Sequence, residues 1–106
     1  MTRSAEAEVN ALKRTRDRIA DPAHWNQGSL AQDRNGEAVG PFSPFAVKWC
    51  LLGACDLEGA TSALLYEAIQ EFAGKPLSFA GFNDHYSHDD VLAVIDLAIQ
   101  KAGSQP

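Results

Sequence analysis

Long apolar runs are missing from this 106-residue chain, and positive charge is scarce beyond its first 18 positions. No stretch approaches the roughly 20 apolar residues of a membrane-crossing helix, and the segment from Met1 to Glu6 lacks the apolar core of a secretory signal. The expectation is therefore a cytoplasmic protein without membrane contact. A net charge of −5 disfavours non-specific attraction to nucleic acid or anionic lipid. Gly36, Gly40 and Gly53 lack the spacing and the adjacent lysine that a phosphate-binding loop needs, and there is no internal repeat or low-complexity tract.

What is present suits one domain over residues 1–106, with one core and a frayed tail from about residue 103. Arg3, Lys13, Arg14, Arg16 and Arg18 face only three acids in the first 18 positions, so that segment is net positive and the remainder strongly negative. A basic helix lying over an acidic body explains the asymmetry. A nucleic-acid contact explains it less well, because no aromatic residue is interleaved with those basic positions.

Residues 4–20 place Ala5, Val9, Leu12 and Ile19 at helical spacing, interrupted by Arg16, and Asp21-Pro22 ends the pattern. Ser29 to Asp33 and Glu37 to Val39 flank Arg34-Asn35-Gly36, and Asn-Gly predicts a two-stranded hairpin with a type I′ turn. Ser43 before Pro44 reads as the cap and first residue of a second helix running to Glu58 and closed by Gly59. It is apolar on nearly every side, so it belongs at the centre, and Gly53 within it implies close approach of another backbone. Thr61 opens a third helix with Leu64, Leu65, Ala68, Ile69 and Phe72 in register, and Gly74 and Pro76 stop it. Residues 77–86 read as an apolar loop pinned to the core. Ser87 and Asp90 resemble a capping box for a last helix that reaches Ala102. The fold class expected is mainly α: about four helices around a central apolar helix, with a small inserted β-hairpin.

Inside an ideal helix, Cys50 and Cys55 would be turned about 140° apart with Cα atoms roughly 8.6 Å apart. That excludes a disulfide and a shared metal while the helix is intact. Cys50 with His85 or His88, oriented by Asn83 or Asp84, has the residue types of a Cys-His-Asn hydrolase site. A helix opened by Pro44 would set Cys50 nearly two turns in, where the dipole no longer activates a thiol, so a buried structural cysteine is the preferred reading. Asp84, His85, His88, Asp89 and Asp90 form the densest cluster of metal-ligand types. Capping and dipole effects account for the acids among them, so no metal and no cofactor is assigned. Trp25, Asn26 and Gln27, together with Phe82, Asn83 and Asp84, are polar-aromatic segments that either line a small pocket or clamp loops to a core. Clamping is favoured, and Trp25, Asn26, Gln27, Asn83 and Asp84 are the binding candidates.

Trp25-Asn26-Gln27-Gly28, the Asp33 to Gly36 turn, Trp49-Cys50-Leu51-Leu52-Gly53-Ala54 and Phe82-Asn83-Asp84 before a final Ala-rich helix resemble a family of small uncharacterised bacterial and phage proteins. The family's pattern is W-x-x-G, C-x-x-G-A and N-D, and the resemblance spans about Leu12 to Ala102. It implies no activity. It marks Trp25, Gly28, Cys50, Gly53, Ala54, Asn83 and Asp84 as the positions to inspect. The leading functional expectation is a non-enzymatic interaction or regulatory domain that presents a helix face or the hairpin loop to a protein partner or a second copy. The alternatives are a cysteine-dependent hydrolase or transferase using Cys50, and a nucleic-acid accessory using Lys13, Arg14, Arg16 and Arg18.

Overall fold

A computed structural model describes residues 4–104; the expectation for Arg3, and that part of the frayed tail expected from about residue 103 which falls on Gln105-Pro106, lie outside the described residues. Helix α1 (Ala5–Ile19) is capped by Ser4, whose Oγ accepts the Ala7 amide at 3.1 Å. Its buried face is Glu8, Ala11, Leu12, Thr15 and Ile19, so the stripe passes through Thr15 and leaves Arg16 beside it. Two polar side chains complete that face because each has an internal partner. Thr15 Oγ1 donates to the Ala11 carbonyl at 2.9 Å. Glu8, 5% exposed, accepts the Thr61 amide and the Thr61 hydroxyl, both at 2.7 Å. It thus serves the amino end of α3 (Ser62–Ala73), where Thr61 makes no side-chain bond to its own helix.

After a 3-10 turn at Pro22–His24 the chain forms β1 (Ala31–Gln32), β2 (Ala38–Val39) and β3 (Lys48–Trp49), an antiparallel sheet in the order β2-β1-β3. The expected hairpin is there, but its turn is not type I′. Among the described residues only glycines have positive φ, so Asn35 does not adopt the conformation that type I′ requires. Instead Asp33 Oδ1 accepts the Asn35 and Glu37 amides, the Gly36 amide donates to the Asp33 carbonyl, and Gly36 alone turns left-handed at φ 81°.

The second helix begins later than the sequence suggests. Ser43 does not cap it: its Oγ accepts the Phe45 amide, and the Ala46 amide closes a turn on the Ser43 carbonyl. Pairing with β1 then holds Lys48 and Trp49 extended, and α2 (Leu51–Glu58) starts after Cys50. Strand pairing overrides the Ser-Pro signal because β1 otherwise lacks a partner on that edge. Gly59, at φ 72°, closes α2 as expected. The close approach at Gly53 is also found: a Cβ there would fall onto the Leu30 carbonyl, which accepts the Cys50 amide at 3.1 Å.

Residues 77–86 are not a loop. Ser78 Oγ accepts the Gly81 amide at 2.9 Å and opens α4 (Phe79–His85), which buries Phe82 and Asn83. Helix α5 (His88–Gly103) has the capping box of Ser87 and Asp90, and at its far end Ser104 Oγ bonds the Gln100 carbonyl. The mainly helical class with a small sheet holds, with five α-helices among the described residues. One apolar cluster joins all five through side chains such as Leu12, Leu51, Leu65, Phe82 and Ile95. Each fully buried side chain of this size contributes about 1.5–3 kcal/mol. Helix α1 packs against α5 and α2, while α2 touches both β3 and α4, so the start of α2, the sheet and α4 meet.

Candidate functional site

Asn83 stands at this meeting point, 1% exposed. Its Oδ1 accepts Trp25 Nε1–H at 2.8 Å and the Leu51 amide at 3.0 Å. Its Nδ2 donates to the Asn26 carbonyl at 3.0 Å and to Asp84 Oδ1 at 3.3 Å. Both Trp25 Nε1 and the Leu51 amide are donors only, so the orientation of the carboxamide is fixed by its neighbours and its full capacity is engaged. The Leu51 amide is one of the unpaired first donors of α2, and the Gly53 amide, donated to Cys50 Sγ at 3.3 Å, is another.

The loop before β1 is fastened to the same place. Gln27 Nε2 donates to the carbonyls of Asn83, Asp84 and Tyr86 at 3.0–3.4 Å, closing the carboxyl end of α4. The Gly28 amide donates to Asp84 Oδ1 at 2.9 Å with φ at 89°, a conformation that favours glycine. The Asn26 amide donates to the Trp49 carbonyl, and its Nδ2 donates to the Ser29 carbonyl at 2.8 Å. Asn26 Oδ1 is the one buried side-chain oxygen or nitrogen without a partner among the described residues. The residues of all three short motifs therefore converge, and the five binding candidates form one network.

Cys50 is the N-cap of α2, so the expectation that it lies two turns inside a helix is corrected. The thiol is nonetheless not activated. Burial pushes its pKa up, the Gly53 and Leu52 amides pull against this, and the Asp84 carboxylate pushes further up. Cys55 is buried in α2, donates to the Ala60 carbonyl at 3.3 Å, and has its pKa pushed up to about 12, chiefly by burial with Asp56 and Glu8 adding to it. Both thiols are free. Cys50 and Asp84 line a cavity of about 180 Å³ whose remaining wall is mainly Leu30, Leu52 and Ala80.

The histidines go elsewhere. His88 Nε2 lies 2.6 Å from the Ile19 carbonyl, so that nitrogen carries a proton, and the ring packs on Trp25 with centroids 5.3 Å apart. It closes the carboxyl end of α1. His85 is exposed at the last residue of α4, and its ring makes no hydrogen bond among the described residues. Among the described residues no three His, Cys, Asp or Glu side chains converge as a metal site would require. The basic helix faces carboxylates: Arg14 and Arg18 pair with Glu58 at 3.3 and 2.6 Å, and Arg16 pairs with Asp96 at 2.7 Å. Arg18 also lies 4.8 Å over the Trp49 ring.

Sequence reasoning missed two features. The role of Glu8 carries no local signal, since its partner is 53 residues away. Phe42 and Phe45, which flank the Ser43-Pro44 helix signal, are the most exposed large apolar side chains among the described residues, at 69% and 73%. Removing the helix signal at Ser43-Pro44 would have left them on a loop with no inward face. Residues 3–101 match the model of a family of unknown function (DUF6197). No curated protein and no solved structure matches the chain.

Proposed function

The chain belongs to the DUF6197 family, which carries no assigned function, and we propose that it is a non-enzymatic module that docks a protein partner through the segment between β2 and β3. The observation that carries this reading is the pair Phe42 and Phe45, held in water by a loop that is itself fastened down. Trp49 Nε1 donates to the Pro41 carbonyl at 3.1 Å, the Ser43 amide to Gly40, and the Val47 amide to Gln32. An ordered loop with two outward aromatic rings loses little entropy on binding and offers the large contact area typical of binding hot spots. Grooves of about 520 and 410 Å³ flank Val47, one against Arg14, Arg18 and Trp49, the other against Arg34 and Pro44, and give a partner's side chains places to seat. The bacterial and phage proteins that the motifs resemble supply the biological setting for this reading.

The raised pKa of Cys50 and the commitment of His88 to Ile19 weigh against the cysteine-enzyme alternative. Pairing of Arg14, Arg16 and Arg18 with carboxylates weighs against the nucleic-acid one. The test compares wild type with Phe42→Ser/Phe45→Ser as baits in extract of the source organism, then measures the purified partner by calorimetry. Loss of the partner with a Kd raised about 100-fold or more is expected. A partner retained by the double variant at unchanged affinity overturns the assignment.

A further inference from the structure

The cavity beside Cys50 has one feature that the clamp does not use. Asp84 Oδ1 is engaged by the Gly28 amide and by Asn83 Nδ2, but Oδ2 has no hydrogen-bond or ion-pair partner among the described residues. A carboxylate fixed through one oxygen therefore stands at an otherwise largely apolar cavity of about 180 Å³, with Leu30, Leu52 and Ala80 around it. An apolar cavity of about 150 Å³ is large enough to admit a benzene. A carboxylate at the rim of such a space selects for charge, because its unpaired oxygen is stabilised by a cation and opposed by an anion. The thiol of Cys50 adds a weakly polar wall and no positive charge.

We propose that this cavity binds a primary ammonium ion carrying a small apolar body of about four to seven carbons, the ammonium on Asp84 Oδ2 and the body against Leu30, Leu52 and Ala80. The site is separate from the Phe42 and Phe45 surface and does not depend on it. The same chemistry is offered by a free amine and by a lysine side chain of another protein.

Titration followed by 1H–15N NMR tests it, with benzylammonium as probe and benzyl alcohol and phenylacetate as near-isosteric controls at constant ionic strength. Saturable shifts at Gly28, Leu52 and Ala80 are expected for benzylammonium, binding at least about tenfold weaker for the alcohol, and none for the anion. Asp84→Asn retains an Oδ1 acceptor for the Gly28 amide and removes the charge, so it should weaken benzylammonium about tenfold while the spectrum elsewhere is kept. Should that variant not fold, Ala80→Phe, at an exposed position on the rim, fills the cavity and should abolish binding. Equal binding of the alcohol, an unaltered affinity in Asp84→Asn or Ala80→Phe, or no saturable shift with benzylammonium overturns the proposal. Comparing butylammonium with Nα-acetyl-lysine amide then identifies the source: tighter binding of the first indicates a free amine, of the second a lysine side chain.

Discussion

Trp49 is bonded to both the clamp around Asn83, through its carbonyl, and the segment carrying Phe42 and Phe45, through its indole, and the two regions use the same residue types in opposite ways. In the clamp an aromatic side chain, Trp25, is turned inward and its N–H is bonded; on the loop two aromatic rings are turned outward while Trp49 bonds the backbone beneath them. Almost every polar group of the clamp has a partner inside the molecule, which is what a fold needs. The loop has its backbone pinned by several hydrogen bonds and its apolar side chains left in water, which is what an interface needs. The motifs that stand out in the sequence belong to the first kind, so conspicuous residues here mark architecture, while the inconspicuous Phe-Ser-Pro-Phe segment carries the better case for function.

The largest blow to that comparison comes from Asn83→Ala. It leaves Trp25 Nε1–H and the Leu51 amide without an acceptor at a site 1% exposed, and frees the loop at Asn26. Unsatisfied buried donors cost about 1–3 kcal/mol each, so a loss of about 4 kcal/mol is expected in urea or thermal unfolding. That is a large share of the 5–15 kcal/mol typical of a whole domain. A loss under about 1 kcal/mol would show that the clamp is not structural, and Asn83 would return to the list of ligand-binding candidates.

A smaller effect separates the buried thiols from reactive ones. Cys55 has its folded-state pKa raised from the ordinary 9.0 to about 12 by burial, so the protonated form is the one the fold accommodates. Its stabilising contribution is complete below pH 9 and is lost as pH rises from there towards 12, at up to about 1.4 kcal/mol per pH unit. Unfolding free energies at several pH values across that window should fall less steeply in Cys55→Ala than in wild type. Equal slopes would mean that the thiol is solvated and outside the core.

Most of the helical frame is legible in the sequence, because its signals are local. Asp21-Pro22, Gly59, Gly74 and the Ser87–Asp90 box act within a turn of themselves, and the structure keeps each one. Errors arise where a partner distant in sequence decides the outcome. Lys48 and Trp49 are strand residues because β1 pairs with them, and Phe79 to His85 is helical because Phe82 and Asn83 have a core and a clamp to enter. The convergence of Trp25, Gly28, Cys50, Gly53, Asn83 and Asp84 is the site-level counterpart: the residues can be chosen from sequence, but the long-range hydrogen bonds that tie Trp25, Gly28, Cys50, Asn83 and Asp84 into the site span 20 to 58 positions, and only the fold supplies them.

The smallest expected effect is the sharpest discriminator. Phe42→Ser/Phe45→Ser removes two large apolar side chains, which in a core would cost about 3–5 kcal/mol each. Here both rings are more than two-thirds exposed, and the loop is held by bonds from Trp49, Ser43 and Gln32 that the substitutions leave intact. Stability should therefore change by no more than about 0.5 kcal/mol, with the same midpoint in urea and the same indole N–H resonance for Trp49. A loss above about 1 kcal/mol would mean that the rings support the sheet, and the loop would then join the clamp as architecture. Unchanged stability leaves their exposure without a folding role, as for an apolar surface that serves an interaction.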